Sequence, residues 1–400
     1  MKDFINFEPG ILCNKGCCFM ACRGLTLAPI KDLLVITHGP IGCSYFSWKL
    51  ENSSHSFSTN MSEEDIIFGG EEKLKMAIDE AIAEFFPKAV AVCSTCAVAL
   101  IGDDVERICR EAQSKHKIPI YSFNCEGFKN IHGFELANKK IVEEIYGTQK
   151  SRLRKYPINI IGEFFTGRNR MEIENLLNII GYDIVSVLFG ESSIDELRSA
   201  QDAKVVVQGS GKPIFGYENN VKKHYNMDCV NVNFFGIANT SRSLLNISRY
   251  FKEDELINRT ELIINDNVNR VKKKLKTCEE IFKGYKAVVY NDGFKGRQIY
   301  DILQELNVKV EITNKDNIYQ DTIFELYNPE GELYISNLFN CVDHDFQYAG
   351  FEGIIQFAKD LKMEIDLLEL EKNIKDLKLE SGLMEYNKNA KDFKAYTKVG

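Results

Sequence analysis

Leu33-Leu34-Val35-Ile36-Thr37-His38-Gly39-Pro40-Ile41-Gly42-Cys43 is the stretch that decides the fold. Leu33–Thr37 is apolar or β-branched throughout, the pattern of a strand buried on both faces. His38–Cys43 then places two glycines and a proline together, which ends the strand in a turn. The same order returns downstream. Ala89–Val92 reads as a strand ended by Cys93-Ser94-Thr95-Cys96, and Ile118–Phe123 reads as another. Between them, Ile66–Phe86 and Val105–Gln113 have helical spacing, the second opened by Gly102-Asp103-Asp104. Both aspartates are expected to cap that helix and favour its dipole. Strands that alternate with helices form βαβ units and a parallel sheet. Ligands of such sheets lie beyond the carboxyl ends of the strands, where Cys43 and the Cys93/Cys96 pair fall.

The pattern continues in both directions. Residues 1–32 show little periodicity and read as a loop around a group of cysteines. Gln149–Pro157 is charged and reads as a linker. A second α/β unit follows, with strands Ile158–Gly162, Ile184–Leu188, Val205–Gln208 and Val230–Phe235, helices Met171–Ile180 and Ser241–Phe251, and a long helix from about Glu253 to Phe282. A third begins at Ala287–Tyr290. It continues with helix Arg297–Leu306, strands Lys309–Ile312 and Leu333–Ser336, helix Phe351–Leu361 and an amphipathic tail to Glu380. The fold class expected is α/β, with three Rossmann-like domains of parallel sheets flanked by helices, the third shortened. The boundaries are 1–155, 156–284 and 285–400.

Composition narrows the function. The 400 residues are 44% hydrophobic and 27% charged, as in ordinary globular proteins. No apolar run approaches the ~20 residues that span a bilayer. Met1-Lys2-Asp3-Phe4 opens no secretory signal, so a cytoplasmic location is expected. The net charge of −8 argues against nucleic acid or an anionic membrane as partner. The basic run Arg270–Lys276 fits the solvated face of a helix. Gly209-Ser210-Gly211-Lys212-Pro213 fails the phosphate-loop pattern, and no GxGxxG occurs, so a nucleotide would have to sit on another chain.

Twelve cysteines are the anomaly. Disulfide scaffolds are short and secreted, unlike this chain. Cys13, Cys17, Cys18, Cys22, Cys43, Cys93 and Cys96 crowd the first 96 residues, while Cys109, Cys125, Cys229, Cys278 and Cys341 are scattered. Most of the scattered five read as small buried hydrophobes. The crowded seven admit several chemistries. Thiolates from distant loops can hold an iron–sulfur cluster, here Cys17 or a neighbour, Cys43, and Cys93 or Cys96. Cys13, Cys17, Cys93 and Cys96 could bind zinc. Cys93-Ser94-Thr95-Cys96 between a strand and a helix could be a redox dithiol. His38 could be a ligand or an acid, although a lone histidine more often braces a turn.

The motifs also carry a resemblance. Ile36-Thr37-His38-Gly39-Pro40-Ile41-Gly42-Cys43-Ser44-Tyr45 and Cys96-Ala97-Val98-Ala99-Leu100-Ile101-Gly102-Asp103-Asp104 resemble the second and third cluster-cysteine segments of the nitrogenase component 1 family, on its α chain. Lys15-Gly16-Cys17 with Arg23-Gly24 resembles the first. Asp65-Ile66-Ile67-Phe68-Gly69-Gly70 and Cys125-Glu126-Gly127-Phe128 match in the same order, as do Asn233-Phe234-Phe235-Gly236 and Gly350-Phe351-Glu352-Gly353.

The resemblance implies that Cys17, Cys43 and Cys96 hold this chain's half of an iron–sulfur cluster, P-cluster-like (8Fe-7S) or 4Fe-4S. It implies a β-like subunit or a second copy across the interface. An ATP-dependent iron protein would supply electrons, and a small-molecule substrate would accept them. Departures shape the expectation. The cofactor's cysteine position falls near Gly209-Ser210 and its histidine position near Asn340, beside Cys341. A pocket arginine becomes about Glu51, and a His-His pair becomes Phe134-Glu135. No molybdenum–iron cofactor is therefore expected, and Glu135, Asn340 and Cys341 become the pocket candidates. The expected function is an α-type subunit of a nitrogenase-like reductase whose substrate is not dinitrogen. The alternatives are a scaffold for maturing a metal–sulfur cofactor and a structural zinc protein. Cys13, Cys18, Cys22 and Cys93 keep no assigned role.

Overall fold

The computed structural model of the chain describes residues 17–50, 57–128, 132–149, 152–162, 167–188, 190, 192–209, 217–290, 294–313, 324–327, 329, 333–335 and 348–380. It divides into two compact units, residues 1–234 with 238–266, and residues 235–237 with 267–400.

The first unit opens on a wide-turned π-helix, Met20–Leu27, where the sequence suggested a loop. Cys22 and Leu27 are buried along it, as are Cys18 and Phe19 just before it. Half of this apolar face is thiols, set beside Phe19 and Leu27, which is why it does not read as a regular stripe. Next come β1 (Leu33–His38), α1 (Ile41–Leu50), β2 (Phe57–Ser58), α2 (Glu63–Phe68), α3 (Glu71–Phe85), β3 (Ala89–Ser94), α4 (Cys96–Ile101), α5 (Val105–His116), β4 (Ile120–Asn124) and α6 (Gly133–Lys140). The four strands form a parallel sheet in the order β2-β1-β3-β4. All six side chains of β3 are buried, as its central place requires.

The single helix expected over Ile66–Phe86 is two helices. Gly69, at φ +94°, ends α2, and Gly70 starts α3 with its N–H bound to the Asp103 carboxylate at 3.0 Å. An L-side chain is strained at that φ, so glycine sets the break.

The same unit holds a second parallel sheet of β5 (Pro157–Ile161), β6 (Asp183–Leu188), β7 (Val205–Gly209) and β8 (Asp228–Val232), in the order β6-β5-β7-β8. Around it run α7 (Gly167–Ile180), α8 (Ile194–Arg198) and α9 (Tyr217–Tyr225). One buried cluster includes Ala91, Cys93 and Phe123 of the first sheet and Ile161, Leu188 and Val206 of the second. Part of the stretch read as a linker is tied down, since Arg154 pairs with Asp183 at 3.0 Å and Asp202 at 3.5 Å.

Helices α10 (Ile237–Phe251) and α11 (Asp254–Ile281) follow. The second unit has a sheet of β9 (Lys286–Tyr290), β10 (Lys309–Thr313), β11 (Phe324–Tyr327) and β12 (Leu333–Ile335), with α12 (Phe294–Glu305) and the long α13 (Gly350–Glu380). Here β9 and β10 are parallel, while β11 runs antiparallel to β9 and β12 antiparallel to β11. Only a few residues join β11 to β12, too few for the crossover that a parallel pair needs. Among the described residues, no helix is long and apolar enough to cross a membrane.

Candidate functional site

Strand register builds the site. His38 ends β1 opposite Ser94 of β3, and Ser94 lies opposite Asn124 of β4. The residues after these three ends, up to Cys43, Cys96 and Cys125, therefore leave the sheet at one edge. The segment that leads into the π-helix, residues 17–22, meets the same edge, where Cys22 lies beside Cys93 and Cys125.

Cys17, Cys43 and Cys96 form an outer group. Cys17 is exposed and the other two are half-buried. The wall of protein behind Cys17 pushes its thiol up by withholding solvent. The N–H of Met20 works against that rise, and the Cys96 sulfur adds to it. Burial likewise pushes Cys43 up, and the Cys17 and Cys96 sulfurs add to the shift. Mutual repulsion of this kind requires neighbouring sulfurs. The Gly127 N–H donates to Cys96 Sγ at 3.3 Å, and Cys96 Sγ–H points to the Cys125 carbonyl at 3.9 Å. Any Cβ at Gly127 would stand 2.8 Å from that sulfur, so the close N–H approach needs glycine. Around this group, α1, α2 and α4 expose Ile41, Tyr45, Ile67, Phe68 and Leu100. Helices α2 and α4 pack on each other.

His38 is not a ligand in this arrangement. It is fully buried, with Nε2 3.1 Å from Asp103 Oδ2 and Nδ1 3.1 Å from Thr59 Oγ1. A carboxylate can only accept, so Nε2 carries the proton and Nδ1 accepts from the Thr59 hydroxyl. The Thr59 oxygen in turn accepts from Gly39 N–H at 3.1 Å. The His38–Asp103 bond thus ties the turn before Cys43 to the end of the helix that Cys96 starts. Asp104 alone caps α5, accepting from Arg107 N at 3.0 Å. Asp103, expected to share that task, instead binds His38 and Gly70.

An inner group lies behind the outer one. Cys22, Cys93 and Cys125 are fully buried, and their sulfurs lie within 4.8 Å of one another. Cys18, 2% exposed, hydrogen-bonds to Cys125. Burial opposes a thiolate at Cys93, yet hydrogen bonds from Cys125 and Cys22 and the charge of Arg23 hold its thiol well below the usual range. Burial pushes Cys22 well up, and donation to its neighbours pushes Cys125 well up. The Cys93-x-x-Cys96 pair is therefore split, with one sulfur in each group. Cys125, expected to be an ordinary core residue, is part of the inner group. The cue available in the sequence was the i, i+4 spacing of Cys18 and Cys22. Cys109 does behave as a core hydrophobe, its thiol pushed up to about 12 by burial.

Glu135 is exposed on the first turn of α6. Asn340, Cys341, Cys13, Glu51 and Ser210 lie outside the described residues, as does the side chain of Cys278.

Comparison with known proteins gives a consistent picture. The description of one family, Nitrogenase component 1 type Oxidoreductase, matches residues 17–325. The "Nitrogenase molybdenum-iron protein alpha chain" of Methanosarcina barkeri is 33% identical over 318 residues, 76% of this chain and 60% of that protein. This chain therefore spans about 60% of the length of that relative. The "Nitrogenase iron-molybdenum cofactor biosynthesis protein NifE" of the same organism is 27% identical over 419 residues, 90% of each. Among solved structures, "Nitrogenase Cp1 at pH 6.5" superposes with a TM-score of 0.70 at 31% identity, covering 78% of this chain and 65% of that one. With more than three quarters of its length under one family description and its parallel-sheet architecture matched in solved members, the chain belongs to the nitrogenase component 1 type oxidoreductase family.

Proposed function

We propose that this chain is the α-type subunit of a nitrogenase-like reductase, and that Cys17, Cys43 and Cys96 hold its share of an iron–sulfur cluster at a subunit interface. The observation that carries this reading is the outer thiol group itself: three sulfurs, accessible on one side, flanked by exposed apolar side chains. The donor set fits such a cluster. All three are soft sulfur ligands, and the Gly127 N–H is placed to stabilise negative charge on one of them. Three thiols on an open surface also leave room for ligands from another chain.

When bound, the cluster supplies one-electron transfer at a potential tuned by burial and hydrogen bonds to sulfur. The protein's own residues do the rest. His38 and Asp103 lock two ligand segments together, and Gly127 orients Cys96. The exposed apolar residues of α1, α2 and α4 offer a dry surface to a β-like subunit or a second copy. Electrons would come from an ATP-dependent iron protein, which suits a chain without a nucleotide loop. The acceptor would be a small molecule other than dinitrogen, with Glu135, Asn340 and Cys341 as candidate pocket residues.

A second reading is favoured by one comparison, the end-to-end match with a cofactor-biosynthesis protein over 90% of both chains. In that reading the chain is a scaffold for a maturing metal–sulfur cofactor. Anaerobic purification with iron and acid-labile sulfide analysis tests both. Iron and sulfide that disappear in Cys17→Ala, Cys43→Ala and Cys96→Ala support the outer site. Iron indifferent to all three overturns it. Catalytic turnover of a small molecule then favours the reductase, and release of a bound cluster to an acceptor protein favours the scaffold.

A further inference from the structure

We propose that Cys18, Cys22, Cys93 and Cys125 form a second metal site: a closed, mononuclear tetrathiolate site for a thiophilic divalent ion of the zinc type. Nothing in the outer-site reading requires it, and it stands on separate residues.

The first argument is convergence. The four sulfurs come from three distant segments, namely the lead-in and first turn of the π-helix, the end of β3 and the turn after β4. Cys18 and Cys22 are one helical turn apart and so share a face. Chance burial of thiols looks different, as Cys109 shows: it lies in another core cluster, whereas these four share one.

The second argument is spacing. Four thiolates around zinc, at about 2.3 Å each in a tetrahedron, stand roughly 3.8 Å apart. Cys22, Cys93 and Cys125 already lie within 4.8 Å of one another, while Cys18 stands beyond that distance from at least one of the three and approaches through Cys125, to which it hydrogen-bonds. A cubane separates its thiolates far more widely, because the iron and sulfide core lies between them. The inner group therefore fits one ion rather than a cluster.

The third argument is enclosure. All four side chains are at most 2% exposed, as structural sites with a full protein ligand set are. Gly133 fixes the geometry. A Cβ there would stand 2.1 Å from the Cys18 carbonyl and 2.7 Å from the Cys22 nitrogen, so glycine lets α6 clamp the two helical ligands in place.

The fourth argument is charge. Four thiolates and a divalent ion sum to −2, which a core must offset. Arg23, next to Cys22, is 1% exposed and acts electrostatically on Cys93. Its guanidinium also donates to Ser47 Oγ at 2.7 Å. A metal bound here exchanges the thiol protons for the ion, releasing them to solvent.

The test uses the full chain purified without oxygen or added metal. Elemental analysis should find one zinc per chain, and X-ray absorption at the zinc edge should show four sulfur neighbours at about 2.3 Å. Zinc should be lost in Cys22→Ser and Cys93→Ser and kept in Cys43→Ser and in Cys109→Ser. Folded protein without zinc, zinc bound through nitrogen or oxygen, or zinc indifferent to Cys22→Ser would each overturn the site. The absorption measurement needs no variant, so an insoluble Cys22→Ser protein would not rescue the proposal. Iron and sulfide report the outer group in the same samples, so failure of one site is distinguishable from failure of the other.

Discussion

Cys17 and Cys18 are neighbours in the chain, and Cys93 and Cys96 are three residues apart, yet each pair sends one sulfur outward and one into the core. The outer group is open to solvent and apolar at its rim. The inner group is dry, compact and closed. The difference teaches that cysteine count and spacing do not define a site. What decides is which side of the sheet's carboxyl edge each sulfur faces, and the strand register together with the first turns of the helices settles that.

The comparison breaks most readily on stability. An inner substitution removes an ion and leaves buried, unmatched polar groups. Cys22→Ser is expected to cost about 3–5 kcal/mol of unfolding free energy, the scale of losing a structural metal or a buried polar network. Cys43→Ser, at a half-buried position, should cost less than about 1 kcal/mol while abolishing bound iron. Denaturant melts of anaerobic protein measure both. Equal costs would erase the distinction between the groups.

Two glycines sharpen it next. Alanine at Gly133 meets backbone on the facing helix, which cannot move aside, so Gly133→Ala should lose about 2–3 kcal/mol. Alanine at Gly127 meets the tip of a single side chain, the Cys96 sulfur. Its stability cost should stay near about 1 kcal/mol, but iron per chain should fall because that sulfur is displaced. Thermal melts and iron analysis on the pair separate the two outcomes. A Gly127→Ala protein with full iron would mean that Cys96 is not held by this contact.

Much of this arrangement was legible in the sequence. Runs such as Leu33–Thr37 and Ala89–Val92, closed by turn signals and alternating with helical patterns, read as buried parallel strands, and their ends point to the candidate site. The outer three cysteines were reached only through resemblance, because spacing alone left Cys17 against Cys18 and Cys93 against Cys96 undecided. The inner group was missed for a physical reason. Its ligands are pooled by a π-helix with no clear apolar stripe and by a turn after β4, and tertiary packing alone joins them. The division of Ile66–Phe86 was hidden similarly, since a carboxylate 33 residues further on captures the Gly70 N–H. The antiparallel hairpin of β11 and β12 follows from connection length, not from composition.

Alkylation compares the groups by reactivity. In protein stripped of metal, Cys17 and Cys43 should react with iodoacetamide while Cys22 and Cys93 stay protected until unfolding. Burial and neighbouring sulfurs raise the two outer thiols above the usual 9, so they are protonated at neutral pH. Their rate should climb about tenfold per pH unit through pH 7–9, because only the thiolate attacks. Mass mapping of the labelled cysteines reads this directly. Early labelling of Cys93 would show that the inner group is not closed.

The smallest effect concerns the link that serves the outer group, His38 with Asp103. Burial lowers the His38 pKa below its ordinary 6.5. The Asp103 hydrogen bond and charge, with Asp65 and Glu71 beyond, oppose that shift without cancelling it. A base whose folded pKa is depressed binds its proton preferentially in the unfolded chain. Its contribution to stability is therefore intact above pH 6.5 and is lost as pH falls from there through the lowered folded value. Unfolding free energy should decline between pH 7 and pH 5 in the wild type, and His38→Gln should flatten part of that slope. Because the ring also spans Thr59 and Asp103, His38→Gln should loosen the segments of Cys43 and Cys96 together and speed alkylation of Cys43, leaving the inner thiols protected. An unchanged pH slope in His38→Gln would assign the acid sensitivity to other groups. Deprotection of Cys93 in the same variant would mean that the outer and inner groups are held by one brace rather than two.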